Sequence, residues 1–262
     1  TATLPYAVMP LVTEALLPYV KNESTIYAGV SVLAVPGIIV LCVLRKRMGA
    51  LFAGVHASLA RRPSLDELRR NLKLPAVVLI LAVSLILYFG NATLFFFVKG
   101  YFKEIGTANA GHFFTASTLV MIAVRALGGR LMDKADKVKT MAFFTFLLVP
   151  WFMAFGYLRS PMPFILLAAC FGLCAGIVFP MLSSAMLQAS PAQLRGLNTN
   201  LALFMMDTSF FLSPYAAGML FAGGGSFEDL FHICSGLLAL AVCLLVALGR
   251  LDWQSKYWQC TP

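Results

Sequence analysis

Arg125-Ala-Leu-Gly-Gly-Arg-Leu-Met-Asp-Lys-Ala-Asp-Lys-Val-Lys139 is a short charged connection between two apolar segments, residues 108–126 and 140–158. Each segment approaches the roughly 20 residues with which a helix crosses about 30 Å of hydrocarbon. Gly128 and Gly129 predict a sharp exit from the first helix, because glycine adopts backbone conformations that other residues avoid. The stretch therefore predicts two membrane-spanning helices joined by a tight, charged turn.

The composition extends this prediction to most of the chain. Of its 262 residues, 60% are hydrophobic and 12% are charged, and the mean hydropathy is +0.84, outside the range of soluble domains. The predicted fold class is all-α, in a polytopic membrane protein. Full spans are predicted at residues 26–45, 74–98, 108–126, 140–158, 162–188, 197–222 and 230–249, and a proline-broken piece at 3–20.

The positive charges are unevenly divided between the two sides of the predicted membrane. Those on the side opposite the loop after residue 45 are only Lys21, Lys99, Lys103 and Arg159. Such a bias marks the other side as cytoplasmic. We therefore expect a multi-pass protein of the cell (inner or plasma) membrane with a cytoplasmic carboxyl terminus. The net charge of +9 then reflects orientation, and no nucleic-acid partner is expected.

A polar stretch at residues 46–73 divides the chain into three parts. Residues 1–45 are predicted to hold a partial helix and one full span, 46–73 a cytoplasmic linker, and 74–262 a six-helix bundle with a short cytoplasmic tail. Within the linker, Ser64 followed by two acidic residues predicts the start of a helix. Because the chain lacks an initiator Met and a signal peptide, we expect it to begin within a longer protein.

Two glycines and two prolines punctuate the later spans. Gly172 and Gly176 stand four residues apart and predict close approach of a neighbouring helix. Pro180 and Pro214 predict kinks of the kind that a helix needs if it bends during a transport cycle.

Several motifs occur in a fixed order around the charged connection. The pattern Gly129-x-Leu131-x-Asp133-Lys134-x-x-Lys137-x-Lys139, preceded by Arg125, resembles the cytoplasmic signature loop of the major facilitator superfamily in its second-half version. The resemblance extends over about residues 74–249 and points to the drug and sugar efflux branches. It includes Gly111-His-Phe-Phe114, the Gly172-Gly176-Pro180 spacing, and Pro191-Ala-Gln-Leu-Arg-Gly196 before a span with Asp207, Pro214 and Gly218.

The resemblance implies a gate on the cytoplasmic side. The implied gating residues are Arg125, Gly128, Gly129, Arg130, Asp133 and Lys134. Arg125 is expected to close its helix at the interface, where snorkelling alone would also explain it, and to form a charge relay with Asp133. Asp133 is expected to accept hydrogen bonds from a neighbouring helix amino terminus. The chain departs from the family pattern at Asp136 and Val138. The resemblance also implies an amino-terminal half, missing here, as a partner.

Two polar residues inside predicted spans are candidates for substrate binding or proton coupling. Asp207 is the only acidic residue well inside a full span, where an aspartate costs roughly 2.5–3.5 kcal/mol. It is expected to face the bundle interior or a water-filled cavity, and either proton coupling or a hydrogen bond to another helix would explain it. Asn91 lies among aromatic residues. The resemblance places it along the central cavity, and packing against a neighbouring helix explains it equally well.

The resemblance implies a secondary transporter that moves a small organic solute, such as a drug, sugar or metabolite, by alternating access with proton coupling. The expected partners are that solute, H+ and the lipid bilayer, and no enzymatic activity is expected. His56, His112 and His232 do not cluster in the predicted topology, so neither a metal nor another cofactor is expected. A membrane-embedded lipid-modifying enzyme and a non-transporting scaffold are the alternative hypotheses.

Overall fold

The structure, a computed structural model, describes residues 34–52, 64–106, 110–157 and 161–251, together with Tyr19, Ala28, Gly29, Ser31 and Val32. The helices are α1 (Ala34–Phe52), α2 (Leu65–Asn71), α3 (Pro75–Glu104), α4 (Ala110–Lys134), α5 (Lys137–Tyr157), α6 (Pro161–Ala189), α7 (Arg195–Ala222) and α8 (Phe227–Arg250). A 3-10 turn, Ala192–Leu194, joins α6 to α7. Except for Tyr19, the predicted piece at residues 3–20 lies outside the described residues.

Five helices are long and apolar enough to cross a membrane: α3, residues 110–129 of α4, α5, residues 164–189 of α6, and α8. They confirm the prediction of an all-α polytopic membrane protein. Helix α7, predicted as a span at 197–222, has 28 residues but is not among the five, because polar residues recur along it. Three of these polar side chains are buried against the protein, and so need not contact lipid: Asn198, Ser209 and Ser213.

Helix α1 differs from the prediction at its carboxyl end. It continues to Phe52, past residue 45, where the sequence predicted the linker to begin. Its apolar part, Ala34–Leu44, is shorter than a membrane span. All of its described side chains are exposed, and none belongs to the core formed by the later helices.

The six helices α3 to α8 pack mainly as three pairs: α5 with α8, α4 with α6, and α3 with α7. Helix α3 also packs on α8, and α6 packs on α5 and on α7. Helices α3 and α6 therefore lie between the α5–α8 pair and the two flanking helices, α4 and α7. We call the end of the bundle that holds α2 and the α4–α5 and α6–α7 connections the linker end, and the opposite end the far end.

Two glycines bring α4 and α6 into close contact, as the sequence predicted. The carbonyl oxygen of Ser117 on α4 occupies the space that a side chain on Gly172 would need. One turn further along α6, a Cβ on Gly176 would lie 3.2 Å from the Cα atom of Met121. Small residues allow helix backbones to approach closely where packing drives helix association in lipid. The contact fixes α4, which carries the charged stretch, against α6.

The linker helix α2 begins where the sequence predicted. The Ser64 hydroxyl accepts a hydrogen bond from the Glu67 N–H, and the Glu67 carboxylate accepts one from the Ser64 N–H. At the other end of α2, the buried side chain of Asn71 exchanges two hydrogen bonds with Asn198 of α7. Asn198 also donates to the Ser190 hydroxyl at 2.7 Å. This buried polar cluster ties the linker helix to the α6–α7 connection.

Aromatic side chains fill the far end of the bundle. Tyr101 of α3 is fully buried, and its hydroxyl donates to the carbonyl oxygens of Phe155 at 3.2 Å and Gly156 at 2.8 Å. Its ring contacts Phe155 of α5, Phe164 of α6 and Phe231 of α8. Because Tyr and Phe rings bring large contact areas together, this cluster joins four helix ends into one unit.

Candidate functional site

The charged connection between α4 and α5 is shorter than the sequence predicted. Helix α4 runs through Gly128 and Gly129 without interruption and ends at Lys134, so only Ala135 and Asp136 separate it from α5. The predicted sharp exit at the two glycines is therefore wrong. Neither glycine takes the positive φ angle that such an exit would use, which is found at Gly106 and Gly224 among the described residues.

Asp136, and not Asp133, caps the next helix. One Asp136 carboxylate oxygen accepts hydrogen bonds from the backbone N–H groups of Val138 and Lys139, both at 3.1 Å. Its other oxygen lies 3.5 Å from the Lys139 ammonium. Asp133 is exposed and lies one helical turn too early, because α4 has not yet ended there. The residue that departs from the family pattern thus takes the role that the sequence assigned to Asp133.

Asp136→Ala is expected to lower the free energy of unfolding by about 0.5–2 kcal/mol, because two amide groups at the start of α5 lose their acceptor. Asp133→Ala serves as the control and is expected to have no measurable effect. Thermal unfolding in detergent of the full-length protein measures both. An equal loss in the two variants would show that the cap contributes nothing beyond the general charge at this end.

Arg125 lies well inside α4 and does not close the helix, contrary to expectation. Its side chain is partly buried, and its Nε atom is buried without a hydrogen-bond partner among the described residues. Tyr88 of α3 lies within electrostatic range of its charge. The expected relay with Asp133 is not formed, since eight residues on one helix separate the two by about 12 Å along the axis.

The remaining residues of the expected gate lie on the last turns of α4. Asp133 and Lys134 are exposed at the linker end. The backbone of Arg130 is helical, but its side chain lies outside the described part of the structure. The structure thus places this group on a continuous helix and separates it from Arg125, which lies deeper in the bundle.

One face of α3 forms the centre of a candidate site. Tyr88, Asn91 and Phe95 follow each other at helical spacing and therefore share this face. The Tyr88 ring stacks on Phe179 of α6 with 4.9 Å between centroids. The partly exposed Phe95 ring lies 6.1 Å from Phe114 of α4 and 5.9 Å from Phe210 of α7. We call the following set the central site: Tyr88, Asn91, Phe95, Arg125, Phe179 and Phe210.

Asn91 lies near the middle of α3, in the region between α4 and α7. Its side chain is partly buried. Within the described part of the chain its amide forms no hydrogen bond, whereas the neighbouring Thr93 bonds to Ser213 of α7 at 2.9 Å. The interpretation of Asn91 as a packing residue bonded to another helix is therefore not supported. Its amide can instead bond to water or to a bound molecule.

Asp207 does not face the interior of the six-helix bundle. Its carboxylate is exposed on α7, on the side away from Ser209, which is buried and donates to the carbonyl oxygen of Leu85. No described residue forms an ion pair or hydrogen bond with it, so neither the bundle interior nor a hydrogen bond to another helix is seen, and the water-filled cavity stays a prediction. An aspartate on this face would be costly against lipid, which favours a polar or protein-covered environment for it.

The sequence of the chain has a counterpart in a known family. The sequence model of the Major Facilitator Superfamily matches residues 2–214 and, separately, residues 80–256. The chain belongs to the major facilitator superfamily. Both matched ranges contain all six residues of the central site. No curated protein and no solved structure matches the chain significantly.

Membership in the major facilitator superfamily makes the chain a multi-pass membrane protein from a family of secondary transporters, not of enzymes. Secondary transporters commonly bind their substrates at a surface that several helices share. The central site is such a surface, since α3, α4, α6 and α7 all contribute to it.

In this superfamily member, the sequence pointed to Asn91 as a candidate for substrate binding and to Arg125 only as a gating residue, and it did not single out the aromatic residues of the central site. Tyr88 stood in the same stretch as Asn91, and its spacing of three residues was a signal that both share a helix face. No comparable signal pointed to Phe179 or Phe210, because the chain has 22 phenylalanines distributed over its apolar segments. Only the packing of α6 and α7 on α3 selects these two.

Proposed function

We propose that this protein is a secondary transporter of a small organic solute, such as a drug, sugar or metabolite, which works by alternating access and is similar to efflux transporters. The observation that carries the proposal is the central site, which combines an apolar aromatic lining with two polar side chains, Asn91 and Arg125, at mid-bundle. Apolar surfaces with few convergent polar groups are typical of small-molecule sites.

Residues 74–262 would act as one six-helix half that rocks against an amino-terminal half, with residues 1–45 as the end of that half and 46–73 as the linker. The buried cluster of Asn71, Ser190 and Asn198 supports movement of α2 together with the six-helix half. The linker end would face the cytoplasm of a cell membrane. The concentration of cations there, such as Arg70, Lys134 and Arg195, supports this orientation.

The last turns of α4 would contribute to closing the linker end. Asp133 and Lys134 are exposed there and can form ion pairs with charged residues on another part of the transporter. Gly128 and Gly129 leave one side of this helix segment without large side chains, which suits contact with a second helix. The gate would then be a helix end that moves with the bundle.

Asp207 would couple transport to protons. Asp207 lies on the exposed face of α7, opposite Ser209. The charge of its carboxylate is costly in an apolar environment, and protonation removes that charge. The free-energy cost of moving this face of α7 from water to an enclosed environment therefore differs between the two protonation states. Such a difference can shift the equilibrium between the two conformations of a carrier.

Asp207→Asn tests this coupling in the full-length protein reconstituted in proteoliposomes. The pH-gradient-driven flux is expected to fall about tenfold or more, equivalent to a barrier change of roughly 1.4 kcal/mol. The thermal midpoint should stay unchanged, because the asparagine has nearly the same shape and the carboxylate has no described partner. Glu104→Gln, which changes an exposed carboxylate at the far end of α3, is the matched control and should keep its coupling.

Three outcomes of that experiment separate the parts of the proposal. Full pH-driven flux in the Asp207→Asn variant would reject Asp207 as the coupling residue and leave transport intact. Flux that ignores the pH gradient in the unmodified protein would reject proton coupling altogether. Turnover of a lipid substrate without any solute flux would favour the lipid-modifying enzyme, although the described residues contain no group of three or more potential metal ligands.

A further inference from the structure

Arg125 is a partly buried cation that has no described counter-ion. Its Nε atom is shielded from solvent and has no hydrogen-bond partner among the described residues. A buried donor without a partner is costly, and the cost is larger for a charged group. In the described part of the structure, the ion pair formed is between Lys139 and Asp136, so no described carboxylate neutralises Arg125.

Side chains of α4 and α3 surround Arg125. On α4, Thr118 follows Phe114 by four residues and Arg125 follows Thr118 by seven, so the three side chains lie on one side of the helix. Phe114 meets Phe95 of α3, which shows that this side faces α3. Tyr88 lies within electrostatic range of the guanidinium and provides a hydroxyl that can donate a second hydrogen bond.

Apolar side chains lie next to Arg125 and Tyr88. Tyr88 rests on the ring of Phe179, and Phe95 lies between Phe114 and Phe210. Along α3, the distance from Tyr88 to Phe95 corresponds to about 10 Å, the length of a small aromatic acid. Asn91 stands between them with its amide unbonded among the described residues.

We infer that the solute is an organic anion, whose carboxylate or similar group binds Arg125 and Tyr88 and whose apolar body lies along Asn91 and Phe95. A guanidinium matches a carboxylate with two parallel hydrogen bonds, and such bonds strengthen away from water. The anion thereby neutralises the partly buried guanidinium, which no described carboxylate does. The inference rests on the proposed transport function and names the substrate class for its central site.

Paired probes of nearly the same shape, one anionic and one neutral, test the inference on the full-length protein in detergent. Benzoate and phenylacetate are compared with benzamide and phenylacetamide, and the thermal unfolding midpoint reports binding. The two acids are expected to raise the midpoint and the two amides are not. Arg125→Gln should weaken acid binding roughly ten- to a hundredfold, the effect of losing a charged hydrogen-bond pair.

Two further variants keep the test independent of folding. Arg125→Lys retains the charge but not the paired geometry, so part of the acid-induced shift should persist even if Arg125→Gln folds poorly. Arg195→Gln removes an exposed cation at the start of α7 and should leave the shift unchanged. Tyr88→Phe should weaken acid binding less than Arg125→Gln does.

Equal stabilisation by acids and amides, no stabilisation by either, or an acid response that survives Arg125→Gln would each overturn the inference. Suppose that acids do not stabilise the unmodified protein and that the Arg125→Gln variant unfolds at a lower temperature without any ligand. Arg125 would then form an ion pair with a carboxylate elsewhere in the transporter. Uptake of acidic, neutral and basic solutes into proteoliposomes separates the two proposals. Flux of neutral or basic solutes alone rejects the anion and keeps transport, and no flux of any solute rejects transport.

Discussion

Replacing Gly172 with leucine is expected to prevent α4 from packing on α6, and Gly172→Ala to lower the free energy of unfolding by about 1–3 kcal/mol. The atom in the way is the carbonyl oxygen of Ser117, which belongs to a helix backbone and cannot rotate aside as a side chain would. Thermal unfolding and size-exclusion chromatography in detergent measure the two variants. The leucine variant should aggregate or lose its monodisperse peak.

Gly218→Ala is the matched control for this substitution. Gly218 also lies within a long helix, α7, but no atom stands within 4 Å of the position that its Cβ would take. Alanine there should be neutral or stabilise the helix by up to about 1 kcal/mol, because it removes backbone freedom from the unfolded chain. If Gly172→Ala were also stabilising, α4 and α6 could not be packed as closely as described.

Asn198→Leu is expected to have the second largest effect. The substitution keeps the approximate volume but removes the partner of the buried Asn71 amide and of the Ser190 hydroxyl. Each buried polar group left without a partner costs about 1–3 kcal/mol, so we expect a total loss of roughly 2–5 kcal/mol in the free energy of unfolding. Chemical or thermal unfolding of the full-length protein in detergent measures it.

A double-mutant cycle identifies the source of that loss. Asn71→Leu combined with Asn198→Leu should cost clearly less than the sum of the two single substitutions, since each alone leaves the other amide unsatisfied. Asn200→Leu, exposed on the same helix, is the control and should change little. Strictly additive single effects would mean that the two amides do not interact in the folded protein.

The positions of the long helices could be predicted because hydrocarbon thickness and hydropathy act over about 20 residues at once. The contact at Gly172 and Gly176 was equally predictable, since a four-residue spacing of small residues has one common use in a membrane helix. The cap at Ser64 followed from a local pattern that involves three neighbouring residues. These features depend on near sequence neighbours or on average composition.

The features that escaped prediction depend on tertiary contacts. Gly128 and Gly129 permit a break but do not impose one, and α4 continues through them. That continuation moves the cap from Asp133 to Asp136 and puts Arg125 inside the bundle. Asn198 drew no attention in the sequence, because its partner Asn71 lies 127 residues away. Sequence patterns are therefore least informative about where a helix such as α4 ends and about buried polar partners that lie far apart in the chain.

The pairing of helices that are not consecutive in the chain has a consequence for biogenesis. Helix α4 meets its closest partner, α6, only after α5 has been synthesised, and α5 meets α8 only when translation is nearly complete. Each helix must therefore enter the bilayer before its main contacts exist, and α4 does so with the guanidinium of Arg125 unaccompanied. We therefore expect α4 and α5 to stay near the insertion machinery until α6 and α8 have been synthesised.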